Sequence, residues 1–143
     1  MKLITGWTAN IEEVSNGVLR VILTDEFGHK TEVLGNVTDE TIEKAVGYAF
    51  DIEKQISRNW NLFLFNFCIE RLTTESVIKK EYNDNTFGSW LIESTENRLV
   101  YDGKDEWLIF QSKVGIDWTD KVILKKDELR YLNVIEQIKA FEK

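Results

Sequence analysis

The polar and apolar positions of the first 35 residues follow the pattern of short strands joined by tight turns. The apolar, β-branched segment 18–23 comes directly after Asn16-Gly17. Asn-Gly favours a two-residue hairpin turn because both residues tolerate positive φ. From His29 to Val33 polar and apolar residues alternate, as in a strand with one exposed face. The pattern therefore predicts an antiparallel β-region that ends near Gly35.

A helical period replaces this alternation after residue 37. Apolar residues recur at steps of three or four from Ile42 to Ile56, and charged residues fall largely between them. Thr38 or Asp39 is expected to cap the helix, and early acidic residues favour its positive N-terminal end. Such a one-sided helix needs a sheet to cover its apolar stripe.

The segment from Trp60 to Ile69 is apolar at both odd and even positions. A strand whose two faces are both covered has this pattern. We therefore expect this segment to form the central strand of the sheet, with Phe65 among its buried residues.

After residue 75, short β-type segments alternate with polar turns. The expected strands are 76–82, 89–93, 98–101 and 106–111, with a further one at 118–124. A closing helix is expected from about Asp127, with Leu129, Leu132, Ile135, Ile138 and Phe141 toward the core. The order is then roughly βββ-α-ββββ(β)-α, which predicts an α+β fold with a mainly antiparallel, curved sheet and two helices packed on it.

Composition and length fit one domain spanning 1–143. The chain has 143 residues, no proline and one cysteine, Cys68. One cysteine excludes an internal disulfide framework, and no linker composition marks a boundary. No segment has the form of a secretory signal or a membrane-spanning helix. We therefore expect a cytoplasmic protein that does not bind membranes.

The sequence contains little that indicates catalysis or cofactor binding. The only histidine, His29, follows a turn, and Cys68 lies in the most apolar segment, where burial makes a thiol inert. Asn83–Gly88 resembles a calcium loop only faintly, because Phe87 occupies a ligand position. No phosphate-binding glycine motif is present, and no extended basic stripe that would bind nucleic acid. The paired carboxylates lie mainly in turns and at helix starts. We expect no catalytic residue, cofactor or metal.

Charge is concentrated in one part of the chain. The net charge is -7, and residues 81–120 carry 9 acids against 3 bases. The same region holds many of the aromatic residues, and exposed rings among carboxylates suit the binding of a basic protein. The expected partner-binding residues are Asp84, Trp90, Glu93, Glu96, Tyr101, Asp102, Asp105, Glu106, Trp107, Asp117, Trp118 and Asp120.

A small acidic α+β chain with a tryptophan-rich acidic meander and no catalytic motif resembles the immunity proteins of bacterial polymorphic toxin and contact-dependent growth inhibition systems. The resemblance lies in overall character and in no diagnostic motif. It implies a non-enzymatic inhibitor that neutralises a cognate, basic toxin, such as a nuclease, by stoichiometric binding.

Two other classes remain open. A secretion or folding chaperone would share the size and charge, and would be a dimer that binds extended clients. A small-molecule-binding or enzymatic domain would have a large cavity between helix and sheet, lined by residues such as Trp60, Phe63 or Trp90.

Overall fold

The fold is α+β, as the sequence predicts. A computed structural model describes residues 3–73 and 75–143. Within them, two antiparallel sheets accompany three α-helices in the order βββ-α-α-βββββ-α. The chain divides into two compact units, Met1–Ser57 and Arg58–Lys143. No helix in the described part of the chain has the length and apolarity needed to cross a membrane.

The first unit is a three-stranded meander with one helix on it. Its strands are β1 (Trp7–Ser15), β2 (Val18–Asp25) and β3 (Lys30–Gly35), in that order across the sheet, and its helix is α1 (Thr38–Ile56). The Asn16-Gly17 turn joins β1 to β2, with Gly17 at a φ of 75°. The predicted strands, hairpin and helix are all confirmed.

The predicted cap of α1 is wrong. The N-cap residue is Val37, whose side chain makes no capping bond. The Thr41 hydroxyl, one turn later, donates to the Val37 carbonyl at 2.6 Å. Asp39 and Glu40 do lie in the first turn, where carboxylates favour the helix dipole.

The second unit begins with the largest departure from expectation. Residues 60–69 belong to a helix, α2 (Trp60–Arg71), and not to a central strand. The Asn59 side chain caps α2 by accepting a bond from the Leu62 N–H at 3.2 Å. The rings of Trp60, Phe63 and Phe67 stack in sequence along one side, with centroids 5.5 and 6.4 Å apart. The predicted single sheet is therefore two sheets.

The predicted meander is confirmed as a five-stranded sheet. Its strands lie in sequence order: β4 (Lys79–Asn83), β5 (Ser89–Glu93), β6 (Asn97–Asp102), β7 (Trp107–Val114) and β8 (Asp117–Leu124). Each pairs antiparallel with its neighbour.

The closing helix, α3 (Tyr131–Phe141), begins later than predicted, because Lys126–Glu128 forms a separate 3-10 turn. Leu129, Ile138 and Phe141 are buried as expected. Leu132 is 72% exposed, which corrects its predicted place in the core.

The core of the second unit lies on one face of the five-stranded sheet. α2 packs on β5 and α3 packs on β6. Phe65 of α2 lies 5.4 Å from the Trp90 ring of β5, centroid to centroid. The sheet's other face and its two ends are left to carry the acidic residues.

Candidate partner-binding surface

The strand directions divide the predicted acidic residues between the two ends of the five-stranded sheet. β5 and β7 run one way and β6 and β8 the other. β7 has eight residues, which at about 3.3 Å each span roughly 25 Å. One end, formed by the turns 84–88 and 103–106, is called the turn end here, and it carries Asp84, Asp102, Asp105, Glu106 and Trp107. Toward the other end lie Glu93, Glu96, Asp117, Trp118 and Asp120.

Two of the predicted aromatic contacts are excluded. Trp90 and Tyr101 point into the core and are buried, so neither can meet a partner on the surface. Their parity explains this, because residues 90 and 92 of β5 face the helices together with 99 and 101 of β6. The rings stack with centroids 5.3 Å apart.

Of the four predicted acids toward the other end, Glu96 and Asp117 are exposed, whereas Glu93 and Asp120 contact side chains of neighbouring strands. Glu93, Arg98, Gln111 and Asp120 form one row across β5 to β8. Arg98 lies 3.7 Å from the Glu93 carboxylate and also donates to the Gln111 side chain. Gln111 in turn donates to Asp120 at 2.5 Å. This row is a cross-strand ladder that stabilises the sheet.

The ring of Trp118 is also covered by other side chains of the sheet. The Arg98 guanidinium lies 4.5 Å from the centre of its ring, and the Lys113 ammonium lies 5.7 Å away. Trp107 has a similar cover, since the Lys125 ammonium is 5.4 Å from its ring. Both indoles are half-buried and already have cations over them.

The turn end carries a ring that sequence reasoning left out of the site. Phe87 is 63% exposed and lies between β4 and β5. Its φ is 57°, in the left-handed region that a bulky side chain rarely adopts. Glu106, in the facing turn, has the same φ of 57°. No local pattern marks either residue, because left-handed backbone is normally signalled by glycine or asparagine.

Contacts from α2 and from the facing turn hold Phe87 in this conformation. The Asn61 amide of α2 donates to the Phe87 carbonyl at 2.9 Å. Gly103 of the facing turn packs so closely that an added Cβ would lie 2.0 Å from that carbonyl oxygen. The Gly103 N–H donates to the Ser89 hydroxyl at 2.9 Å, which ties the two turns together. The exposed ring therefore stands on a well-supported backbone.

A buried polar network lies beneath the turn end. The Asn61 side-chain oxygen accepts a bond from the Tyr101 hydroxyl at 2.7 Å, and the Asn61 carbonyl accepts one from the Trp90 indole at 3.0 Å. Burial raises the pKa of Tyr101, and the nearby carboxylate of Glu106 raises it further. The phenol is therefore a neutral donor at physiological pH, and it orients the same Asn61 that supports Phe87.

Acids and lysines both lie at the turn end. Asp84 and Asp105 are exposed, whereas Asp102 accepts the backbone N–H of Lys104 at 3.0 Å and Glu106 pairs with Lys126 at 3.1 Å. The Lys104 ammonium lies 5.8 Å from the centre of the Phe87 ring. The turn end thus combines an exposed ring with two exposed acids, Asp84 and Asp105, and with an ammonium group near the ring.

Cys68, His29 and the segment 83–88 are the remaining residues considered for catalysis or metal binding. Cys68 is fully buried, and burial raises the pKa of its thiol well above the usual range. His29 donates from Nδ1 to the buried Asp25 carboxylate at 2.7 Å, because a carboxylate can only accept. Residues 84–86 form a 3-10 turn. Across residues 3–73 and 75–143, no three potential metal ligands lie together.

Comparison with known proteins adds no relative. The chain matches no known protein family, no curated protein and no solved structure.

Proposed function

We propose that this protein is a non-enzymatic, stoichiometric inhibitor of a basic protein, of the immunity-protein class, and that the turn end is its binding surface. The observation that supports this most directly concerns Phe87. Its ring is exposed, and its backbone is left-handed and held by contacts with Asn61 and Gly103. A left-handed position in an ordinary turn favours glycine or asparagine, so backbone stability alone does not account for a phenylalanine there. A fixed aromatic anchor loses little conformational entropy on binding.

The surrounding charges favour a cationic partner. Asp84 and Asp105 lie in the two turns of this end and are exposed, so they would steer a basic surface toward it and pair with lysine or arginine side chains of that surface. The net charge of -7 acts in the same direction at longer range. A toxin that binds nucleic acid, such as a nuclease, has the required basic surface.

Three surface hollows lined by described residues do not favour the small-molecule alternative. These hollows, of about 180, 180 and 290 Å³, are lined largely by loop and edge-strand residues. None of these three is lined by Trp60, Phe63 or Trp90, the rings expected of a pocket between helix and sheet.

The test is affinity capture from lysate of the source cells, with tagged wild-type protein, Phe87→Ala and Phe27→Ala. Phe27 is the matched control, since it is another turn phenylalanine, 74% exposed, between β2 and β3. We expect wild type and Phe27→Ala to retain one basic protein at 1:1 stoichiometry. With the purified pair, Phe87→Ala should weaken binding about 30-fold or more, as for a central aromatic anchor.

Salt provides a second readout. Raising sodium chloride from about 0.05 to about 0.5 M should slow association several-fold, because screening removes the steering. Recovery of no basic protein, or equal loss of binding in both phenylalanine variants, would refute the proposal.

A further inference from the structure

The four edge strands of the two sheets differ in how they are protected. Unpaired edges invite pairing with other chains, and proteins protect them with short strands, lysines or bulges. β4 has five residues and begins with Lys79-Lys80. β8 has a register shift opposite Phe110 and Gln111, and it carries Lys121. β3 has six residues and begins with Lys30.

β1 lacks these protections over most of its length. It has nine residues, the most of any strand here, with no proline and no basic residue. Seven consecutive pairs, from Trp7 opposite Asp25 to Glu13 opposite Leu19, are regular, and the register shifts only after Glu13. Residues 8–15 are all exposed.

β1 also carries an uncovered apolar side chain. α1 packs mainly on β2 and β3, and the Trp7 indole at the start of β1 donates to Glu53 of α1 at 2.8 Å, so the helix-facing side of β1 is exposed from residue 8 onward. Ile11, at the middle of the strand, is 42% exposed there. Its β2 partner, Val21, is fully buried on the same side of the sheet.

We propose that β1 pairs antiparallel with β1 of a second copy of this chain, about a two-fold axis at Ile11, so that two three-stranded sheets become one of six strands. A two-fold interface must be self-complementary. In this register Ile11 faces the partner's Ile11, Asn10 faces the partner's Glu12, and Ala9 faces the partner's Glu13. The Asn10 amide is a donor for the carboxylate that it faces.

The charges of β1 select this register over its neighbours. Moving the axis to Glu12 places Glu12 opposite the partner's Glu12, and directly opposed like charges destabilise a strand pair. Moving it to Asn10 keeps the pairing within the regular residues 7–13 but places Ile11 opposite the partner's Ala9, so that the two isoleucines no longer meet. Sliding the partner strand by one residue would place side chains from opposite faces of the sheet against each other, because successive side chains of a strand point to opposite faces. Glu12 is partly neutralised already, since Arg20 lies 2.9 Å from it.

The response to salt distinguishes this dimer from the binding of a basic partner. Each chain carries -7, so two copies repel at long range. The Debye length falls from about 10 Å at 0.1 M salt to about 3 Å at 1 M, which weakens that repulsion. The dimer should therefore tighten with salt, whereas the complex of the proposed function should weaken, and either can fail without the other.

The test is sedimentation velocity on the full chain from about 1 to 100 µM, at about 0.05 and 0.5 M sodium chloride. We expect a concentration-dependent dimer that is favoured at the higher salt. Ile11→Lys should weaken it at least tenfold by placing two ammonium groups face to face. Ile123→Lys is the matched control: Ile123 is 38% exposed on the edge strand β8, and its substitution should leave the dimer intact. Circular dichroism checks that both variants fold.

A cross-linking experiment does not depend on Ile11→Lys folding. Ile11→Cys places two thiols opposite each other across the axis, whereas Thr8→Cys places them at distant positions of the strand pair. Under mild oxidation Ile11→Cys should give a disulfide-linked dimer and Thr8→Cys should not. A wild-type protein that is monomeric at every concentration and salt, or equal cross-linking at the two positions, would overturn the proposal.

Discussion

Single residues at the turn end hold conformations that the sequence does not signal. Phe87 and Glu106 both have positive φ although neither is glycine or asparagine. The left-handed region costs an L-residue about 1–2 kcal/mol, so surrounding contacts must hold it. Those contacts come from Asn61 and Gly103, which are distant from Phe87 in the sequence. This is why residue-level reasoning missed Phe87.

Asp25, in the turn between β2 and β3, is another residue whose state is set by its hydrogen-bond partners. Its carboxylate is buried, which alone would raise its pKa. The side chain of His29 and the backbone N–H groups of His29 and Phe27 all donate to it, and these bonds outweigh burial and lower the pKa below 3.8. The folded state therefore favours the ionised form.

Asp25→Asn should destabilise the protein at neutral pH and much less under acid conditions. A carboxylate with a lowered folded pKa contributes stability above its unfolded value of 3.8, and that contribution is lost as the pH falls through the folded value. Urea unfolding of both proteins between pH 2.5 and 7 measures the difference. Glu26→Gln removes one charge from the same turn and serves as the control. A constant difference across this pH range would contradict the assignment.

At the scale of elements, the sequence predicts those with a clear period and misassigns the one without. α1 and the meander have distinct helical and alternating patterns, and both are confirmed. Residues 60–69 are apolar at nearly every position, so periodicity cannot separate a buried strand from a buried helix. Two signals favour the helix: the ten-residue length of the run and Asn59 at the N-cap position.

Substitutions within α2 distinguish the helix from the predicted strand. Phe67→Lys should destabilise the protein by about 3–5 kcal/mol or prevent folding, because Phe67 is buried against α3 and its ring lies 6.1 Å from Tyr131. Asn66→Lys should cost less than about 0.5 kcal/mol, since Asn66 is exposed. Urea unfolding gives both values. Similar losses at the two positions would contradict the helix.

The candidate surface was also only partly predictable from the sequence. Counting charge along the chain correctly identifies the meander as the acidic region, but antiparallel strands send consecutive acids to opposite ends of the sheet. Asp102 and Asp105 fall at one end, and Asp117 and Asp120 toward the other. Which acids lie together depends on strand boundaries and turn positions, which composition does not contain.

At the scale of the whole molecule, the sequence predicts one domain, and the chain forms two compact units. The second unit has a core of its own, in which Trp90, Leu99 and Leu108 of the sheet are buried together with Leu64 and Val134 of the helices. Whether the two units unfold together is a question of cooperativity that composition does not answer. The single-domain prediction therefore stays a prediction.

The folding of a fragment of residues 58–143 distinguishes a single domain from two independent units. Because it keeps a complete sheet and two covering helices, we expect it to fold alone, with helical and β signals in circular dichroism and a cooperative urea transition. The intact chain measured alongside gives the reference. A fragment without a cooperative transition would show that the chain folds only as a single domain.

The left-handed position of Phe87 also bears on how this chain would change under artificial evolution. A laboratory selection for heat resistance alone would favour glycine or asparagine there, since both relax the backbone. A selection that retained the native activity would keep the ring only if that activity uses it. The residue recovered at position 87 under each regime would therefore report what the ring is for, even while the binding partner is unidentified.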